Sequence, residues 1–133
     1  MKLLLAIAFA LLMPTATLAQ STTSYADNCR AWLALVDAGQ YDESWSTASA
    51  YFQSKVTKEQ WTELAKPVRD TVGPVVSRGA AQVLKTDTLP DAPFGHYLVI
   101  TIHTKFAMNP AATETIIMKL ESGEWKVAGY FVK

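Results

Sequence analysis

GHYLVITIHTKFAMNPAATETIIMKLESGEWKVAGYFV, residues 95–132, decides the fold, because it reads as three antiparallel strands in succession. The strand opening at Gly95 puts Leu98, Ile100, Ile102, Thr104 and Phe106 on one face and Tyr97, Val99, Thr101, His103 and Lys105 on the other. Met108-Asn109-Pro110 makes a turn, and Thr113 to Glu121 forms the next strand with Ile116, Met118 and Leu120 inward. Ser122-Gly123 then closes a two-residue hairpin into the last strand. That register sets Leu120 opposite Trp125, Met118 opposite Val127 and Glu114 opposite Phe131, so the apolar faces coincide. A slip of one residue would destroy the match. Trp125, Val127 and Phe131 are thus expected to close the core, Gly129 to ease the curvature of the strand, and Tyr130 to look the other way. On the reverse face Lys119 meets Lys126 and Glu121 meets Glu124, a corner that water must screen.

Upstream, Val75 to Asp87 turns β-like around Gly79-Ala80-Ala81, which predicts a bent or bulged first strand. Thr88 to Phe94, with Pro90 and Pro93, is a loop. Before it the spacing is helical. Tyr25, Cys29, Trp32, Leu33 and Val36 make one amphipathic helix that Gly39 stops. A second opens at Tyr41, has Asp42 and Glu43 in its first turn, and turns Tyr41, Trp45, Ala48 and Phe52 inward. The third has the strongest local start signal: Thr57 as N-cap, Gln60 completing a capping box, and Val56 stapled to Trp61. Trp61, Leu64, Ala65, Val68 and Val72 keep one face through Pro67, predicting a single kinked helix ending near Gly73-Pro74. Three helices followed by about four antiparallel strands is an α+β arrangement with the helices on one face of the sheet.

The first residues stand apart. Lys2, the apolar run Leu3 to Met13 and Thr17-Leu18-Ala19 form a signal peptide, residues 1–19, cleaved after Ala19, leaving residues 20–133 as one exported, periplasmic or secreted domain. The apolar run is shorter than the roughly 20 residues a membrane-spanning helix needs, so no membrane attachment is expected once it is removed. Twelve basic residues balance twelve acidic ones, which argues against a nucleic-acid partner. Cys29 is the single cysteine, so no internal disulfide holds the domain. Its place on the apolar stripe of the first helix reads as a small buried hydrophobe.

The helix Ala-Trp-Leu-Ala-Leu-Val-Asp-Ala-Gly (31–39), the following Tyr-Asp-Glu-Ser-Trp (41–45) and the closing Trp-Lys-Val-Ala-Gly-Tyr-Phe (125–131) resemble the bacterial exported family catalogued as domain of unknown function 4019. That family is itself similar to the nuclear transport factor 2-like, or cystatin-like, α+β cone. The resemblance covers most of Ala31 to Lys133 and rests on structural rather than catalytic motifs. It implies a curved sheet and helices enclosing a conical cavity, and it implies no particular use of that cavity.

No Gly-x-Ser-x-Gly elbow, His-Glu-x-x-His pair or phosphate-binding glycine loop is present. His96 and His103 lie seven apart on one strand, hence on opposite faces, and cannot chelate together. Neither a metal nor a cofactor is therefore expected. A ligand in the cone would meet Tyr25, Trp32, Tyr41, Trp45, Trp61 and Trp125, although each also sits on an apolar stripe suited to core packing. The leading expectation is a non-enzymatic domain binding a ligand or a protein partner. The alternative is an isomerase or dehydratase with Asp37 or His103 as base and Tyr41 as donor. Asp37 draws notice because its charge opposes the dipole at the end of its helix. Val99, Ile117, Ala128, Tyr130 and Val132 are expected on the outer face of the sheet, where they would support a homodimer.

Overall fold

A computed structural model of the chain describes residues 24–133. The expected signal peptide, residues 1–19, and its cleavage point after Ala19 lie outside the described residues. Helix α1, Tyr25–Asp37, begins where the Ser24 hydroxyl accepts the Asp27 N–H at 3.2 Å, satisfying one of the amides a helix start leaves free. It buries Cys29, Trp32, Leu33 and Val36, and the chain leaves it through Gly39 at φ 73°.

The helix expected to run from Tyr41 through Phe52 is instead two: α2, Tyr41–Thr47, and α3, Ala50–Lys55. Ala48 between them is extended, and Ser49 starts α3 by accepting the Phe52 N–H on its hydroxyl at 3.0 Å. The Ser49 N–H donates to the Val127 carbonyl at 2.8 Å, so the break exchanges a helical turn for a tie to the last strand. Helix α4, Lys58–Val72, starts at Thr57 with both bonds of the capping box and carries Pro67 within it. Its inward residues are Trp61, Ala65, Arg69 and Val72, whereas Leu64 and Val68 are exposed.

Four strands follow: β1 (Val75–Thr86), β2 (Tyr97–Phe106), β3 (Ala112–Glu121) and β4 (Glu124–Val132), antiparallel in the order β1-β2-β3-β4. The fold is α+β, with helices packed on one face of the sheet against Leu98, Ile100, Ile102, Ile116, Met118 and Val127. β1 is irregular between Val75 and Ser77 and between Arg78 and Ala81, as its glycine predicts. A Cβ at Gly79 would stand 3.3 Å from the His103 carbonyl, which keeps that position small. Ser122 and Gly123, both with positive φ, close the β3–β4 hairpin.

The hairpin register matches expectation at Leu120–Trp125 and Met118–Val127, and then changes. Ile117 pairs with Gly129, so Ala128 is an inserted bulge residue and every later side chain of β4 is reversed. Tyr130 lies opposite Ile116 and packs into the core, while Phe131 lies opposite Thr115 and is 54% exposed. Val132 packs inward beside Val72, Phe106 and Ala112. Phe131 therefore does not close the core, and Tyr130 and Val132 do not belong to the outer face, where Val99 and Ile117 remain.

Candidate functional site

α1 packs on β3 and β4, and a cavity of about 460 Å³ opens between this helix and the β1–β2 side of the sheet. The helical period brings Ala26, Cys29, Leu33 and Asp37 to it from one side. Gly79 and Ala81 from the bulged strand, with Ile100 and Ile102, form the other wall. Small residues on both walls make the hollow a slot, with Tyr25 at its mouth.

The end of the slot at the C-terminus of α1 is charged. Arg78 grips Asp37 with Nη1 donating to Oδ2 at 2.7 Å and Nη2 to Oδ1 at 2.9 Å. Its Nε donates to Glu114 Oε1 at 2.7 Å and Nη2 to Oε2 at 3.1 Å. Glu114, wholly buried, also accepts from the Thr104 hydroxyl at 2.6 Å and from the Tyr130 hydroxyl. Arg69 approaches Asp37 Oδ1 with Nη2 at 2.9 Å and lies over the Phe106 ring. Its Nε and Nη1 have no hydrogen-bond partner among the described residues.

Burial alone would raise both carboxyls, but Arg78 and Arg69 overcome it at Asp37, and Arg78 with the Thr104 and Tyr130 hydroxyls overcomes it at Glu114; both end below the ordinary carboxylate value. Burial and the neighbouring Glu114 charge push the Tyr130 phenol up, so it stays a donor. Burial raises the Cys29 thiol to about 11. Two carboxylates and two guanidiniums thus cancel, and Arg78 has spent nearly all of its donors. The arrangement fastens the end of α1 to β1 and β3, and it presents no free base to the slot.

The sequence-derived candidates scatter. Tyr25 and Asp37 line the slot, but His103 is exposed on the opposite face of the sheet, its Nδ1 3.5 Å from the Thr113 hydroxyl. Tyr41 is buried on α2 beside a separate shallow hollow. Trp32 and Trp61 pack with Phe52 and Tyr130, ring centroids 5.1 to 6.4 Å apart, and both indole N–H groups donate to Ser44. Trp45 donates to the Val56 carbonyl, and Trp125 lies at a small cleft next to Asn28. Glu114, Arg78 and Arg69 were not singled out from sequence. Parity could have found Glu114, two residues before inward Ile116, and the four-residue step Trp61-Ala65-Arg69 could have found the arginine. Among the described residues no group of three or more His, Cys, Asp or Glu is placed to hold a metal.

Comparison with curated proteins and with solved structures finds no match to the chain. A family model described as a protein of unknown function, DUF4019, matches residues 28–130. That span takes in most of α1 with its Asp37 clamp, the capping box of α4 and the sheet as far as Tyr130, and the chain belongs to this family.

Proposed function

We propose that this is a non-enzymatic binding domain that takes a small, largely apolar, uncharged ligand in the slot between α1 and β1–β2. The observation that carries the reading is the pairing of apolar walls, Cys29, Leu33, Ile100 and Ile102, with a charged end whose charges already cancel. A charged ligand would find no unmatched counter-ion there, whereas an apolar one would shed water. Asp37 is a poor base, since both of its oxygens accept from guanidinium groups. This speaks against the isomerase or dehydratase alternative. Lys2, Leu3 to Met13 and Thr17-Leu18-Ala19 support action outside the cytoplasm, in the periplasm or beyond. A hollow between helices and an antiparallel sheet also fits kinship with the nuclear transport factor 2-like cone.

The test uses N-phenyl-1-naphthylamine, a neutral apolar fluorophore. Its emission should rise saturably with protein, and Ala34→Trp, which fills the slot from the exposed side of α1, should abolish the rise while leaving thermal unfolding unchanged. No saturable rise, or one that Ala34→Trp does not touch, would refute the proposal.

A further inference from the structure

β4 is an edge strand whose two halves are treated differently. The carbonyls of Trp125 and Val127, which point away from β3, are capped by the Asn28 side chain at 2.9 Å and the Ser49 N–H at 2.8 Å. Beyond the Ala128 bulge the capping stops. Lys133 and Thr113 exchange both backbone bonds, at 2.9 and 3.0 Å, so by alternation Phe131 also bonds to β3 and Tyr130 and Val132 aim their N–H and C=O groups outward. No bond to those outward groups is present among the described residues.

Near this open half-edge α4 contributes Leu64, on a flank of the helix that also carries the uncharged Gln60, Pro67, Val68 and Thr71, while Glu59, Glu63, Lys66 and Asp70 fall elsewhere on the helix. Leu64 is 59% exposed and shares the rim of an apolar groove with Phe131.

We propose that Gly129 to Lys133 pairs antiparallel with the same segment of a second copy, making one continuous eight-stranded sheet across a two-fold axis at Phe131. Self-complementarity selects the occupant. With Tyr130 opposite the second copy's Val132, and the reverse, every outward backbone group of both strands finds its partner, and Phe131 faces the second copy's Phe131 at a non-hydrogen-bonded pair. Centring the pair on Tyr130 would run Val132 into the bulge, and centring it on Val132 would set Phe131 against Lys133. In the chosen register the two Lys133 side chains, the only charges on the segment, stand about 14 Å apart along the strands. That exceeds the Debye length of about 8 Å at physiological salt, so their repulsion is largely screened. Leu64, which shares the groove with Phe131, lies close to the seam. The association lies at the edge of the sheet and leaves the outer face free.

The experiment combines sedimentation equilibrium with cysteine cross-linking on protein expressed from the full-length chain. Wild type should sediment as a dimer. Phe131→Lys, a change at an exposed side chain, should weaken the dimer at least about tenfold without altering the circular dichroism spectrum. Phe131→Cys should form a disulfide dimer on mild oxidation, because the expected Cα separation of about 4.5 Å suits one, whereas Thr101→Cys on the outer face should not. A monomer at 100 µM would overturn the proposal. So would a dimer that cross-links through Thr101→Cys and not Phe131→Cys, or a monomer whose Tyr130 and Val132 amides become protected only on adding an unrelated extended peptide.

Discussion

Arg78 holds Asp37 through both terminal nitrogens, at 2.7 and 2.9 Å, and so ties the last residue of α1 to the bulged strand β1. The bulge at Gly79 and the helix end at Gly39 are thereby mechanically joined. The same guanidinium neutralises Glu114 in the core, so one side chain supports two carboxylates.

Arg78→Leu should cost about 3 to 5 kcal/mol in urea unfolding, because it strands the buried Glu114 charge. The double variant Arg78→Leu with Glu114→Leu should recover part of that loss. A single-variant cost below about 1 kcal/mol would mean that water reaches the cluster.

The pH dependence has a definite sign. Asp37 and Glu114 sit below their unfolded values, so their contribution is present above about pH 4 and is lost as the pH falls through their folded values. Unfolding free energy measured from pH 7 to pH 2.5 should be level at first and then decline. Glu114→Gln should be less stable at pH 7 and decline less steeply in acid.

Tyr130→Ala should destabilise by about 3 to 5 kcal/mol and Tyr130→Phe by about 1 to 3, the first through lost packing and the second through the bond to Glu114. Phe131→Ala, measured in dilute solution, should cost less than about 1 kcal/mol. The reverse ranking would place the bulge elsewhere.

Cys29 should react with a disulfide reagent at pH 8 at least about a hundredfold more slowly than an ordinary thiol, since its thiol is raised to about 11 and is buried at the wall of the slot. Saturating N-phenyl-1-naphthylamine should slow it further. Rapid reaction in the folded protein would show α1 lifting off the sheet.

Where local chemistry determined structure, the sequence was readable. The capping box at Thr57 and Gln60, the Ser122-Gly123 hairpin and the irregular strand at Gly79 each rest on residues within a few positions of one another. What escaped depends on distant partners. The break at Ala48 is held by a bond from Ser49 to Val127, which no helical pattern contains. The bulge at Ala128 left no trace because Tyr130 and Phe131 are both aromatic, so either parity reads as a plausible inward face. The charged cluster was hidden for the same reason: its members lie on α1, α4, β1 and β3, and only the closed fold brings them together.

The Ala128 bulge also makes β4 a strand in which counting matters more than chemistry. Replacing Ala128 with another small residue should be well tolerated, because its identity supplies little. Deleting it would restore strict alternation, send Tyr130 and Val132 to water, drive Phe131 and Lys133 toward Glu114, and take the phenol donor from a carboxylate that cannot reach solvent. The spacing between the hairpin and Tyr130 is therefore under a length constraint stricter than any constraint on the residues within it.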